Sequence, residues 1–586
     1  MLDTPDEINL VTLNCWGLKY VSKLRRERLT EIGRQLAIAS PQPHVVALQE
    51  CWTQEDYRSI RRETRFILPY AKFYHSGVLG GGLAILSRWP IEESTMYRYP
   101  LNGRPTAFWR GDWYVGKGVA CARIRYGTAP NHIIEVFNTH THAPYEGGKP
   151  NDSYICHRTA QSWEMAKLLR GAAERGHLVL AMGDFNMIPM SPEHQLITAL
   201  APVSDVWRVL HPDSSLGPAH HPAEEARRRP IPTAEFNILE NGATSDGPYN
   251  TWRWTKAQQK LLGPGKEPVM VSPDTPDPLG KRLDYIFAST GDIPALGGAW
   301  KVKRASVGMM MRHPELGCSL SDHFAVEATL VFHPSRRVSP SPSLPPLPRS
   351  DSNNTTSNRE STLRGDAGTG GHVQSTPGTA IQPPSEPTPP PTTSPGESTK
   401  TDSALHNGAY LQLHSPVPRV LNSPSQQQHN HQTSLPPASY DAILTLIGRY
   451  TARSRAQRTW RARHFFLALL AAVACLVGVW FTPPNSGNNK NYVAFILTLV
   501  ASLGLAAGTV DGLLALLFFG SELKALREFE WEVRNARKRA ALLFSETRDD
   551  NGGSGGGGNG RREGGVRGQH PDRNGSVGDH GSEDEW

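Results

Sequence analysis

Two stretches, HLVLAMGDFN (177–186) and INLVTLNCWG (8–17), decide the fold of this chain. Each is a short apolar run that ends in polar residues, a pattern typical of buried strands in a layered sheet. The stretches VVALQE (45–50), IIEVFNTH (133–140) and LDYIFAS (283–289) have the same form. Because rigid strands hold the groups at their ends in place, we expect the polar residues of these runs to meet at one rim.

Helical patterns lie between the predicted strands. The stretches 23–40 and 156–175 carry apolar residues at helical spacing, and the first is followed by Ser40 and Pro41. Strands mixed with helices over residues 1–333 predict an α/β sandwich, with two sheets inside and helices outside. The stretch 211–280 is rich in proline, glycine and charge, and we interpret it as a long surface insertion with some local structure.

The composition predicts that other parts of the 586-residue chain are disordered. Residues 334–438 consist mainly of Ser, Thr, Pro, Asn and Gln, and residues 546–586 are rich in glycine. Such segments cannot bury enough apolar surface to offset chain entropy. The six cysteines are scattered without CxxC spacing, which argues against a disulfide framework or a zinc ribbon and fits a reducing compartment.

Two long apolar runs predict a pair of transmembrane helices. The first spans about 465–481 and the second about 492–519, and each is long enough to cross a bilayer. Both are apolar all round, which disfavours a buried pair of soluble helices. The short polar turn between the runs therefore predicts a membrane hairpin.

Basic residues flank this hairpin on both sides. The segment 439–464 contains six arginines after Tyr440, and the segment 521–545 contains six lysines and arginines. The positive-inside rule places both flanks, and with them the large N-terminal domain, on the cytosolic side. We therefore expect an integral membrane protein of the endoplasmic reticulum, another endomembrane or the mitochondrion. We also expect the arginines to bind anionic phospholipids such as phosphatidylserine.

The candidate functional residues stand at or near the ends of the predicted strands. They combine carboxylates, amides and imidazoles without cysteine, a donor set that favours Mg²⁺ over zinc. Each motif alone is weak, because GDFN is also typical of a turn, SDH of a cap, and a single histidine of a structural role. The set comprises Asn14, Glu50, His140, Asp184, Asn186, Asp284, Asp322 and His323.

In order, the motifs TLNCWG, LQE, NTHTHA, GDFN, RLDYIF and SDHF resemble the endonuclease/exonuclease/phosphatase superfamily, which has the DNase I-like fold. Together with GDWYVGKGV (111–119) and the C-terminal apolar pair, they resemble the neutral sphingomyelinases and the fungal inositol phosphosphingolipid phospholipases C. The resemblance covers about residues 8–333 and the hairpin. It implies a four-layer α/β sandwich, followed by the disordered linker and the transmembrane hairpin.

The resemblance also implies roles for the site residues. Glu50 is expected to bind the metal, helped by Asn14 and Asp322. His323 is expected to be the general base, with Asp284 orienting it. The remaining roles are contacts with phosphate and water, and they fall to His140, Asp184 and Asn186.

The family also carries an aspartate and a lysine five residues apart in a loop over the site, here Asp112 and Lys117. The resemblance implies that this pair acts as a switch, whereas the simpler interpretation is an ion pair of little energy. The segment GDWYVGKG lacks the GxxxxGK[ST] form because Gly118 follows Lys117, so it does not predict nucleotide binding.

The function implied by the resemblance is Mg²⁺-dependent phospholipase C activity on membrane sphingolipids, releasing ceramide and a phosphorylated head group. The alternatives are an inositol polyphosphate phosphatase, an endonuclease, and a tethered scaffold without activity. Residues 1–333 show no basic tract with interleaved aromatic residues, so we expect no nucleic acid partner. The sequence leaves the choice between an inositol phosphate and a phosphocholine head group open, as it does the oligomeric state.

Overall fold

The computed structural model describes residues 5–145, 152–335, 435–482 and 492–552. The predicted linker 334–438 lies outside the described residues except at its two ends, as do most of the turn 482–491 and of the tail 546–586. Thirteen strands are described: β1 (Glu7–Asn14), β2 (Val45–Gln49), β3 (Tyr70–Tyr74), β4 (Leu83–Ser87), β5 (Ile91–Arg98), β6 (Gly118–Arg125), β7 (Ile133–His140), β8 (Leu178–Asp184), β9 (Ser204–Asp205), β10 (Asp284–Ala288), β11 (Asp292–Ile293), β12 (Gly298–Gly308) and β13 (Ala325–Pro334).

Helices lie between and after these strands. They are α1 (Arg25–Ile38), α2 (Gln54–Thr64), α3 (Asp112–Val115), α4 (Ile155–Glu174), α5 (Pro192–Leu200), α6 (Val206–Leu210), α7 (Pro222–Glu225), α8 (Ala234–Leu239), α9 (Lys256–Gln259), α10 (Pro437–Trp480), α11 (Tyr492–Leu513) and α12 (Phe519–Gly552). A single π-helical segment, Leu514–Phe518, joins α11 to α12. Two 3₁₀ turns, Thr251–Arg253 and Pro294–Leu296, complete the set of helical elements in the described ranges.

The strands form two mixed sheets. One has the order β11-β12-β13-β1-β2-β4-β3 and the other the order β5-β6-β7-β8-β10-β9. The pairs β1–β2 and β7–β8 are parallel, and the remaining strand pairs are antiparallel. The parallel pairs bring the carboxyl ends of four central strands to the same rim of the sandwich.

The main apolar core lies between the two sheets. Leu10, Ile85 and Val136 belong to it, and each is fully or almost fully buried. A second cluster packs α1 and α2 on the outside of the first sheet, and a third packs α4 and α5 on the outside of the second. The alternation of helices and sheets is the four-layer α/β sandwich, which confirms the predicted fold class.

The stretch 211–280 is more than a surface insertion. It contains the short helices α7, α8 and α9, as the expectation of some local structure allows. It also sends Thr244 and Ser245 into the buried interior, where Ser245 forms an isolated β-bridge with His323. The composition did not predict this burial, because a few buried polar residues hardly change the mean composition of a charged, proline-rich stretch.

The two apolar runs form helices that are long and apolar enough to cross a membrane. Each continues into its basic flank without a break: α10 is a single helix of 44 residues, and α12 follows the π segment directly. A fourth apolar cluster packs these flanks on the sandwich, joining Trp163 and Leu196 of α4 and α5 to Tyr440 of α10 and Phe529 of α12. The flanks of the two candidate membrane helices are therefore docked on the sandwich.

Candidate active site

The candidate site lies where the carboxyl ends of the central strands meet. Asn14 ends β1 beside Gln49 of β2, so that Glu50 follows directly on the neighbouring strand. In the second sheet His140 ends β7 beside Asp184, which ends β8. Asp284 begins the antiparallel strand β10 opposite Asp184 and so lies at the same rim.

Asn14 connects the two sheets. Its amide Nδ2 donates to Oδ2 of Asp184 at 3.0 Å and lies 3.3 Å from Oε1 of Glu50. Glu50 has a φ of +53°, a conformation that non-glycine residues rarely adopt, and this turns its side chain toward Asn14 directly after β2. Strain at one residue of this kind is typical of functional sites.

Negative charge collects around Glu50. Burial, followed by the negative charge of Asp322, raises the pKa of Glu50 to about 7. Asp322 is positioned by Ser321, whose hydroxyl donates to the carbonyl of Asn14 at 2.5 Å. Burial and the neighbouring Asp284 likewise raise the pKa of Asp184, to about 6. The positive charges of Lys117 and His323 compensate these carboxylates only in part, a condition that a bound cation relieves.

His323 and Asp284 form a hydrogen-bonded pair. Nδ1 of His323 lies 2.8 Å from Oδ2 of the fully buried Asp284, and its Nε2 lies 4.0 Å from Oδ2 of Asp184. Burial alone lowers the pKa of His323, but the carboxylates of Asp284 and Asp184 outweigh it and raise that pKa well above its usual range. The bond to Asp284 fixes the proton on Nδ1 and leaves Nε2 for proton transfer.

His140 and Asn186 also contact Asp184. Nε2 of His140 is 3.5 Å from Oδ2 of Asp184, and the backbone N–H of Asn186 donates to Oδ1 of Asp184 at 2.9 Å. Burial, followed by the positive charge of Lys117, lowers the pKa of His140 well below its usual range. His140 is therefore neutral at pH 7 and can donate one ring N–H without carrying charge.

The predicted pair Asp112 and Lys117 lies in the loop before β6, and both side chains are buried. Nζ of Lys117 is 3.5 Å from Oδ1 of Asp112 and donates to the carbonyl of Thr141 at 2.9 Å. Asn186 donates to the same carbonyl at 3.2 Å. The loop cation and the GDFN amide therefore share one anchor, which brings the predicted switch next to the strand-end residues.

Three residues of the site escaped the sequence analysis. Thr244 donates to Oδ2 of Asp284 at 2.6 Å, the hydroxyl of Tyr145 donates to Oδ2 of Asp112 at 2.8 Å, and Nε2 of His142 lies 3.6 Å from that same oxygen. The second histidine of NTHTHA was a usable signal for His142. Thr244 and Tyr145 carry no local pattern, since only the fold brings them to their partners.

The donor set fits a metal ion. Ligand atoms of Asp184, Asp284 and His323 lie within 4.8 Å of one another, and Asn14 contacts both Asp184 and Glu50. Oδ1 of Asp284 is buried and has no hydrogen-bond partner. Carboxylate and amide oxygens of this kind are typical ligands of hard divalent cations.

Comparisons with known proteins agree with this geometry. The chain is 43% identical over 324 residues to an inositol phosphosphingolipids phospholipase C of Schizosaccharomyces pombe, covering 55% of this chain and 68% of that protein. It is 30% identical over 560 residues to the protein of that name from Saccharomyces cerevisiae, covering 92% of both chains. It is 30% identical over 344 residues to human sphingomyelin phosphodiesterase 2, covering 58% of this chain and 69% of that protein.

A sequence model described as the endonuclease/exonuclease/phosphatase family matches residues 11–323, more than half of the chain. The matched range contains all ten residues predicted for the site. The matched range begins within β1 and ends at His323, so it includes nearly the whole sandwich. The predicted resemblance is confirmed, and this chain belongs to the endonuclease/exonuclease/phosphatase family.

Proposed function

We propose that this protein is a membrane-anchored, Mg²⁺-dependent phospholipase C that hydrolyses inositol phosphosphingolipids to ceramide and an inositol phosphate. The observation that carries the proposal is the His323–Asp284 pair, held 4.0 Å from Asp184 beside the crowded carboxylates of the rim. The names of the two fungal relatives support the inositol head group over phosphocholine. The alignment with the second of them extends over 92% of this chain and therefore includes part of the membrane helices.

The reaction needs a base and hydrogen-bond donors to the phosphate. Nε2 of His323 takes a proton from water, whose oxygen attacks phosphorus as the bond to the ceramide oxygen breaks. Asp284 holds the imidazole in the required tautomer and stabilises the imidazolium that forms. His140 and the amide of Asn186 donate to the phosphate oxygens, where charge grows in the transition state. The carboxylates hold the pKa of His323 well above its usual range, so positive charge placed nearby favours the neutral imidazole that acts as the base.

Mg²⁺ held by Glu50, Asn14 and Asp322 would supply that positive charge, neutralise the phosphoryl oxygens and polarise phosphorus. The crowding that raises the pKa of Glu50 is what a cation at this position removes. Lys117 adds a second positive charge from the loop, within reach of the same phosphate. Asp112 competes for that lysine, and this supports the interpretation of the pair as a switch.

The membrane helices support a cytosolic active site. The flanks of α10 and α12 that pack on α4 and α5 are the basic segments, so the sandwich lies on the side that the positive-inside rule assigns to the cytosol. Arg449, Arg455, Arg458 and Arg463 of α10 are exposed there. We propose that they bind phosphatidylserine of the cytosolic leaflet, each contributing about 1 kcal/mol. Changing these four to glutamine is expected to remove the response to phosphatidylserine without preventing membrane insertion.

The decisive experiment measures ceramide release from inositol phosphosphingolipid and from sphingomyelin by the purified full-length protein with Mg²⁺. We expect the inositol lipid to be hydrolysed faster, and His323→Ala to cost about 10²–10⁴-fold in kcat. His211→Ala is the matched control, because His211 also pairs with a carboxylate, Glu240 at 3.1 Å, but far from this rim. Faster hydrolysis of sphingomyelin overturns the head group, and no ceramide from either lipid overturns the activity.

A further inference from the structure

Five apolar side chains are exposed on two loops beside the candidate site. Val78 and Leu79 belong to the loop between β3 and β4, and Phe108, Trp109 and Trp113 belong to the loop between β5 and β6; we call these five residues the apolar rim. Val78 is 81% exposed, and Phe108 and Trp109 are each 70% exposed. Large apolar side chains gathered at a protein surface mark a site of interaction.

The two loops form one rigid surface. The backbone N–H groups of Val78 and Leu79 both donate to the carbonyl of Tyr114, at 2.8 and 3.1 Å. Gly77 permits this approach: it has a φ of +45°, and a Cβ there would lie 2.4 Å from the backbone of Val115. The hydroxyl of Ser76 also donates to the carbonyl of Gly116 at 2.6 Å. The apolar rim is therefore presented without any rearrangement.

The apolar rim borders the mouth of the site. Asp112, adjacent in sequence to Trp113, is the acceptor of the Tyr145 hydroxyl and the partner of Lys117. Trp113 and the ion pair of Lys117 with Asp112 therefore lie on the same short stretch of chain. A surface that covers the apolar rim lies next to the candidate site.

The same loop is fixed to the membrane helices at two points. The ring of Trp113 packs edge-on against Phe518 of the π segment, with centroids 5.9 Å apart. Nε of Arg104 donates to the hydroxyl of Tyr450 on α10 at 3.1 Å. Phe518 closes the apolar run that begins at Tyr492, and four residues later Glu522 accepts a hydrogen bond from Ser454. Trp113 therefore lies beside the end of the apolar run of the second helix, past the level at which Arg461 and His464 of α10 pair with Asp511.

We infer that the apolar rim inserts into the cytosolic face of the same bilayer that α10 and α11 cross, and so seals the site mouth onto the lipid surface. Aromatic side chains such as Phe108, Trp109 and Trp113 are enriched at this depth of a bilayer. The contact between Trp113 and Phe518 makes the apolar rim continuous with the apolar surface of the hairpin, and this identifies lipid as what covers the rim. A surface that binds a protein partner would not be expected to continue into a membrane-spanning helix. The expected consequence, access to a lipid substrate, rests on the proposed function. The geometry of the apolar rim does not depend on that function.

The test places a spin label at Phe108→Cys in the full-length protein reconstituted in phospholipid nanodiscs. Collision with oxygen, which concentrates in lipid, is compared with collision with a water-soluble nickel complex, and unmutated protein corrects for the native cysteines. The matched control is Phe66→Cys. Phe66 precedes β3, whose first residue pairs with Ser87 opposite the start of β2, so Phe66 lies at the other edge of the sheet from Glu50.

We expect the label at position 108 to favour oxygen and the label at position 66 to favour the nickel complex. Preference for the nickel complex at position 108 overturns the inference, and so does protection from both reagents, which indicates a covering protein or a second copy. This result does not require activity. A failure of the proposed function would therefore be seen separately, as no ceramide release.

A kinetic test uses Phe108→Ala combined with Trp109→Ala. The ratio of activity on lipid in the bilayer to activity on a short-chain soluble substrate is expected to fall about tenfold, because two interfacial aromatic anchors are lost. Phe66→Ala is expected to leave that ratio unchanged. An unchanged ratio in the double variant overturns the role of the rim in substrate access.

Discussion

Replacing Asp284 with asparagine tests how the site generates its base. The side chain is fully buried, and its Oδ2 accepts from His323 at 2.8 Å and from Thr244 at 2.6 Å. An asparagine carbonyl can accept both bonds, so the geometry survives while the negative charge is lost. The new amide nitrogen replaces Oδ1, which has no partner, so the variant buries an unsatisfied donor at a cost of about 1–3 kcal/mol in stability.

The catalytic loss follows from the charge. At about 4 Å and an effective dielectric constant near 20, two unit charges attract by about 4 kcal/mol. Asp284→Asn removes this attraction from the imidazolium that forms when His323 takes its proton. Since each ~1.4 kcal/mol is a tenfold change in rate, kcat is expected to fall about 10³-fold with little change in KM.

The assay is steady-state ceramide release by full-length protein in detergent with saturating Mg²⁺, together with its thermal unfolding. Thr244→Val is the matched control: it removes the second bond to Asp284 but keeps the charge, and about tenfold loss is expected. A folded Asp284→Asn protein with kcat within about threefold of the unmutated enzyme would refute the reasoning. Recovery of its activity when Mg²⁺ is raised above the concentration that saturates the unmutated enzyme would instead show that Asp284 is a metal ligand, as its position beside Asp184 allows.

Three further predictions concern the metal, the loop and a structural ion pair. Glu50→Gln is expected to abolish nearly all activity with an unchanged melting temperature, and full activity at an unchanged Mg²⁺ requirement would contradict the metal assignment. Lys117→Ala is expected to lower activity on a short-chain soluble substrate by the folded protein, whereas equal activity would show that its contact with Asp112 is only a structural ion pair. Burial raises the pKa of Glu135, but hydrogen bonds from His177 and Arg175 outweigh it and bring that pKa to about 2. This stabilisation is present above the unfolded pKa near 4.5 and disappears as the pH falls toward 2, so Glu135→Gln is expected to cost about 2 kcal/mol at pH 7 and progressively less below pH 4. A pH-independent difference in thermal stability between the two proteins would show that the charge of Glu135 is not responsible.

The sequence alone determined the sandwich and most of the polar residues at the ends of its central strands. Buried strands must be apolar throughout, so runs such as those ending at Asn14 and Asp184 were visible without a structure. Polar residues that interrupt such runs stand out for the same reason. The family's ordered motifs then identified Glu50, Asp284 and His323, and the bilayer's thickness made the two apolar runs recognisable by length.

Only the tertiary structure decided which groups touch. Thr244 reaches Asp284 across 40 positions of the chain, from a stretch whose composition indicated surface, because a hydrogen bond depends on distance in space and leaves no periodic pattern in sequence. The docking of α10 and α12 on α4 has the same origin. The sequence predicts that an apolar side chain such as Trp163 or Phe529 is buried, but it does not predict which residues it contacts, because apolar contacts are non-directional. Trp113 shows this most clearly: in sequence it is one aromatic residue of a loop, and the structure brings it into contact with Phe518 at the end of the second apolar run.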